Sequence, residues 1–160
     1  MATPAEIEAH REACADFGGA IVNWGAGARK RPSPCTEWTA GDIVEHVVGS
    51  HEVLLLRSVR LNPVGRRDET TERWNVTSVV IDSALEELAN QPQASSVKNK
   101  KFASLPALTV DVLVHTWDRA RALGIVVSLN AQLCASALTY VKRQPSLLRT
   151  EGERRAWSAD

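Results

Sequence analysis

The segment LTVDVLVHTWDRARALG, residues 108–124, sets Asp111, His115 and Asp118 at steps of four and three. On an α-helix, residues three and four apart share a side. Two carboxylates and an imidazole would therefore line up within reach of each other or of one ion. A carboxylate and an imidazole four residues apart have the spacing that H-E-x-x-H helices use to bring two histidines to one zinc. A plainer account uses the same residues: an acid near a helix start gains from the dipole, and Asp118 has Arg119, Arg121 and Arg29 as ion-pair partners. Taken alone, the spacing leaves chelation and ordinary pairing both open.

The stretch WTAGDIVEHVVGSHEVLLLR carries two more histidines, His46 and His51. Its apolar side is Ile43, Val44, Val47, Val48, Leu54 and Leu55, with His51 near the middle and His46 towards Gly49, Val53 and Leu56. Periodicity thus makes His51 the more buried of the two, and a core histidine satisfied by one hydrogen bond is the ordinary case. His10 stands among Glu8, Arg11 and Glu12 and reads as a surface residue. Cys35 has no base close by in the chain to activate it and reads as structural. Trp38 reads as a staple at the start of its helix.

The elements that must carry these residues are helical. Apolar residues at three- and four-residue steps predict helix one over 4–24, ended by Gly25 and Gly27. Thr39-Ala40-Gly41-Asp42 is a capping box that opens helix two, which runs to about Leu61 before Pro63. A third helix spans about Glu72 to Ala89, although its VTSVVI run would suit a strand in isolation. Thr109 caps helix four and Gly124 stops it, with Val110, Leu113, Val114 and Trp117 as the apolar side and the polar trio along its edge. Residues 130–143 form a fifth helix, and Ile125 to Leu129 a short extended piece. GAGARKRPSP and QPQASSVKNKK read as loops, and LLRTEGERRAWSAD as an exposed tail. The pattern predicts one all-α domain over 1–160, an antiparallel up-and-down four-helix bundle with an additional short helix.

Lys plus Arg and Asp plus Glu are equal at 19 each, so there is no basic field to gather nucleic acid or anionic lipid. The 3 cysteines are scattered and form no C-x-x-C pair, which fits reduced thiols in a cytoplasm. The start, MATPAEIEAH, has no basic-then-apolar leader, and no apolar run approaches the ~20 residues of a membrane span. The expectation is a cytoplasmic protein with no nucleic-acid or membrane partner, and a homodimer is compatible with it.

PCTEWTAGDIVEHVVGSH, followed by LTVDVLVHTWDRARALG, resembles the DinB-like metal-binding four-helix bundles, in the branch of the mycothiol-dependent maleylpyruvate isomerase N-terminal domain. The resemblance covers most of the chain from Cys35 to Val141. It implies that the histidine of W-[ST]-x-x-D-[LIV]-x-x-H, here His46, and the pair Asp111 and His115 hold a divalent metal, with zinc the default and nickel or iron(II) allowed. It selects His46 over His51, against the helical wheel, and makes Asp118 a residue that steadies a ligand. Two histidines and one carboxylate leave coordination positions open, as catalytic sites do. The resemblance implies a metal- and low-molecular-weight-thiol-dependent transferase or isomerase, with mycothiol or bacillithiol as the thiol. A non-catalytic metal-binding or scaffold bundle is the competing reading. The isomerase carries a further C-terminal domain without a counterpart in these residues, so its particular reaction is not implied.

Overall fold

A computed structural model describes residues 2–21, 27–65, 69–90 and 105–144. Among them are five α-helices and no strand: α1 Pro4–Gly19, α2 Ala40–His51, α3 Thr70–Asn90, α4 Leu105–Leu123 and α5 Ala131–Arg143. A 3₁₀ turn, Ala28–Lys30, precedes α2, and a π-helical turn, Glu52–Leu56, continues it. The extended piece expected at Ile125–Leu129 is coil, and the isolated bridge Pro32–Thr39 is the only strand-like pairing among the described residues.

Local chemistry sets the helix starts. Thr3 and Glu6 form a capping box on α1, with Pro4 in the first turn. Thr39 and Asp42 do the same for α2: Thr39 N donates to Asp42 Oδ2 at 2.8 Å, and Asp42 N donates to Thr39 Oγ1 at 3.3 Å. Asn130 Oδ1 accepts from Gln132 N and Leu133 N to start α5. The VTSVVI run is helical because burial decides it. Trp74, Thr77, Ile81, Ala84, Leu85 and Leu88 fall on one inward face, and the Thr77 hydroxyl is absorbed by Arg73 O at 2.7 Å.

Helix α4 packs against α1, α2 and α5, while α3 lies on α1 and α2. The core between them holds Phe17, Ile43, Val44, Val47, Val48, Leu55, Leu56, Ile81, Leu85, Leu105 and Val112. Arg73 ties the chain after α2 to α3: it meets Glu45 at 2.8 Å and Glu52 at 3.5 Å and donates to the carbonyls of Val64 and Gly65.

Three local expectations are corrected. α4 begins at Leu105, so Thr109 is an interior residue whose hydroxyl donates to Leu105 O, not a cap. Its inward side is Leu105, Leu108, Thr109, Val112, Leu113, His115, Thr116, Asp118 and Arg119, while Val114 and Trp117 face out, both 49% exposed. The polar residues turn inward because each finds a partner there, and Arg121 covers the outward Trp117 ring. His10 is not on the surface: it is fully buried, because α1 turns Ile7, His10, Cys14 and Phe17 to the core. The end of helix one at 22–24, the QPQASSVKNKK stretch and the C-terminal tail lie outside the described residues. Among the described residues, no helix is long and apolar enough to cross a membrane.

Candidate metal centre

His46, Asp111 and His115 meet where α2 crosses α4. The α2 capping box fixes where that helix begins and so which residue of its second turn points at α4. Asp111 Oδ1 lies 3.2 Å from His46 Nε2, 65 residues away, and 3.4 Å from His115 Nε2 on its own helix. One donor atom from each residue falls within 4.8 Å of the other two. Ligand atoms around a tetrahedral ion with bonds of ~2.0–2.1 Å are about 3.3 Å apart, so the two measured separations suit a shared ion. Asp111 Oδ2 is buried and has no hydrogen-bond partner among the described residues. An unpartnered carboxylate oxygen beside two converging imidazoles is what a cation would satisfy. The donor set of two nitrogens and one carboxylate suits zinc and its neighbours in the first row.

The turn before α2 builds the rest of the site. Ser33 N donates to Trp38 O, Trp38 N to Cys35 O, and Ala40 N to Arg31 O, with Glu37 at φ 70° closing the loop. This fold-back sets the Trp38 ring 4.9 Å from His46 and 5.7 Å from His115, centroid to centroid. It also brings the Cys35 thiol to Asp118, donating to Oδ2 at 3.1 Å. The same Oδ2 accepts from His115 Nδ1 at 3.2 Å. That bond leaves Nε2 as the His115 atom facing Asp111, the carboxylate–histidine arrangement that steadies and strengthens metal-bound imidazoles. Ser50 Oγ stands 3.5 Å from His46 Nε2.

Charge in this cluster is set by contact more than by burial. Burial opposes the charged form of His115, but its hydrogen bonds with Asp111, Asp118 and Cys35 overcome it and push the imidazole up to about 11. Burial likewise opposes charge on Asp111, and the hydrogen bonds to His115 and His46 nonetheless hold it well below the usual carboxylate range. In the metal-free chain, His115 is thus an imidazolium clamped between two carboxylates.

The three residues to which the family resemblance pointed are therefore together, and Asp118 sits behind His115. Asp118 is held by His115 and Cys35, while Arg119 donates to Phe17 O and Arg121 covers the Trp117 ring. Cys35 is the residue that sequence reasoning missed: its neighbour is 83 residues on, and no local signal marks it. His51 does not join this group. It is fully buried against His10 and Cys14 on the α1 side.

Two uncharacterised proteins of Mycobacterium tuberculosis, MT0763 of strain CDC 1551 / Oshkosh and Rv0738 of strain H37Rv, are each 31% identical to the chain over 143 residues. The alignments take in 85% of this chain and 77% of each relative. No solved structure matches. Residues 10–99 match the mycothiol maleylpyruvate isomerase N-terminal domain, a span that includes His46 and stops short of Asp111 and His115. The chain belongs to the mycothiol maleylpyruvate isomerase N-terminal domain family.

Proposed function

We propose that this chain is a single cytoplasmic domain, an antiparallel helical bundle that binds one divalent ion through His46, Asp111 and His115. We read it as a transferase or isomerase dependent on a low-molecular-weight thiol. The observation that carries the reading is the approach of Asp111 Oδ1 to two Nε2 atoms from helices far apart in sequence. Zinc is the ion best matched to the donor set, with nickel and iron(II) also accommodated. When bound, such an ion supplies Lewis acidity and a place for a thiolate. The chain's own residues do the rest. Asp118 orients His115 through Nδ1, and the Trp38 ring backs both imidazoles and limits access from that side. Family membership supports mycothiol as the thiol, with bacillithiol the related alternative.

The test is elemental analysis and zinc titration of the parent chain beside His46→Ala and His115→Ala. About one ion per chain, lost in both variants, is the expected result. Equal binding by all three would refute the ligand set. Cobalt-substituted protein should change its visible spectrum when mycothiol is added. No response to any small thiol at saturation would leave a metal-binding protein without this chemistry.

A further inference from the structure

A second cluster lies on the other side of α2, buried against α1. His10 Nε2 and His51 Nε2 are 3.0 Å apart, and Cys14 Sγ is 3.6 Å from the first and 3.8 Å from the second. His10 and His51 are fully buried and Cys14 is 8% exposed. The hydrogen bonds behind the rings settle their tautomers. Val47 O can only accept, so His51 Nδ1 carries a hydrogen and donates to it at 2.6 Å. The Thr109 hydroxyl hydrogen is spent on Leu105 O, so Thr109 Oγ1 accepts from His10 Nδ1 at 3.0 Å. Both Nε2 atoms therefore present lone pairs, aimed at each other and at a sulfur. Two lone pairs at this separation repel unless a cation stands between them.

The three atoms define where that cation fits. The centre of a triangle with sides of 3.0, 3.6 and 3.8 Å lies about 2.0 Å from each corner, the length of a metal–imidazole bond, and sulfur needs only a few tenths of an ångström more. We infer that His10, Cys14 and His51 form a second, closed metal site, and that its ion is soft and monovalent, copper(I). Two features choose this ion over zinc. No fourth His, Cys, Asp or Glu joins the group among the described residues, so the tetrahedron zinc prefers is incomplete. A thiolate with two imidazoles suits copper(I) as well as zinc. Charge also decides, because a buried thiol and two imidazoles that each carry their one hydrogen on Nδ1 make a neutral metal-free cluster. Copper(I) replaces the thiol proton one for one: the S–H bond breaks, an S–Cu bond forms, a proton leaves to solvent, and no electron moves. A divalent ion would leave a net positive charge buried.

The site shares no ligand with the His46 centre, and the experiment separates them. Copper(I) is supplied without oxygen, under competition from bicinchoninate, to the folded chain and to the chain during refolding. The expected result is one copper(I) per chain with about one proton released, and X-ray absorption showing one sulfur and two nitrogen neighbours. Cys14→Ser should lose this binding and keep zinc at the His46 centre, whereas His46→Ala should do the reverse. A Cys35→Ser, Cys134→Ser double variant, which leaves Cys14 untouched, should bind copper(I) as the parent does and guards against misfolding of the Cys14 variant. Loss of copper in that double variant, a spectrum without sulfur, or zinc displacing copper from the parent would each overturn the inference, as would no copper uptake by either route. The last outcome would mean that a shared proton occupies the cluster.

Discussion

His115 should make metal binding depend on pH far above the usual histidine range. A ligand histidine with an ordinary value near ~6.5 stops competing with protons once the solution is neutral. His115 does not, because Asp111 and Asp118 hold its imidazolium up to about 11. The ion needs the Nε2 lone pair, so binding expels that proton, and each pH unit below the folded value costs a factor of ten, about 1.4 kcal/mol. Zinc affinity should therefore rise about a hundredfold between about pH 7 and about pH 9. Competition against a chromophoric chelator measures the affinity, and calorimetry in buffers of different ionisation enthalpy counts the proton. Asp118→Asn keeps the shape and removes one of the two carboxylates that retain the proton, so its slope should flatten at the upper end of the range. Stability of the metal-free chain should run the opposite way. The folded value of His115 is raised, so its contribution is complete below about 6.5 and is lost as pH rises towards about 11. The zinc-dependent increment, which follows RT ln(1 + [L]/Kd), grows over the same interval. A parent affinity flat from about pH 7 to about pH 9 would refute the clamp on His115.

Three further outcomes follow from the described contacts. Thr39→Ala should lower stability by about 1 kcal/mol in denaturant melts, because the α2 capping box loses its hydroxyl. Gly18→Ala would put a Cβ 2.8 Å from Trp74 Nε1 and should cost about 1–3 kcal/mol; unchanged melting would show that Trp74 moves aside freely. Burial holds His10 and His51 below their unfolded value, so the stability they contribute is full above about 6.5 and is lost as pH falls below it. Calorimetric melting of the metal-free chain should drop on acidification through that range, and His51→Gln should flatten the drop.

Helix positions are legible in the sequence where a cap and a three-four pattern coincide, as at Thr39–Asp42, whereas the fifth helix rests on its apolar pattern alone and its Asn130 cap emerges only in the structure. α4 shows where such reading fails. Its Val110, Val114 and Trp117 made a convincing apolar stripe, yet the buried side is the one with Thr109, His115, Asp118 and Arg119. A wheel scores hydrophobicity and has no access to partners, and these polar residues are buried because Leu105 O, Asp111 and Phe17 O accept from Thr109, His115 and Arg119 and the Cys35 thiol donates to Asp118. The same blindness put His10 on the surface, since its partners Thr109 and His51 are 99 and 41 residues away. His46 was chosen by motif, against periodicity. Periodicity does mark His51 as the buried histidine, but the cluster it enters has no signature in the chain.

The π-helical turn at Glu52–Leu56 bears on how this chain can change in length. Arg57 N reaches back five residues to Glu52 O, so the turn holds one residue more than an α-turn. Removing one residue there would restore an α-turn and rotate the chain beyond it by about 100°, while leaving His46 and His51, both upstream, on their present faces. Arg73 grips Glu45 before the bulge and Glu52 at its first position, so the upstream register is pinned from α3. Insertions and deletions among homologues should accordingly collect at 52–56 and in the residues just after it, where the length of α2 can drift without moving either histidine.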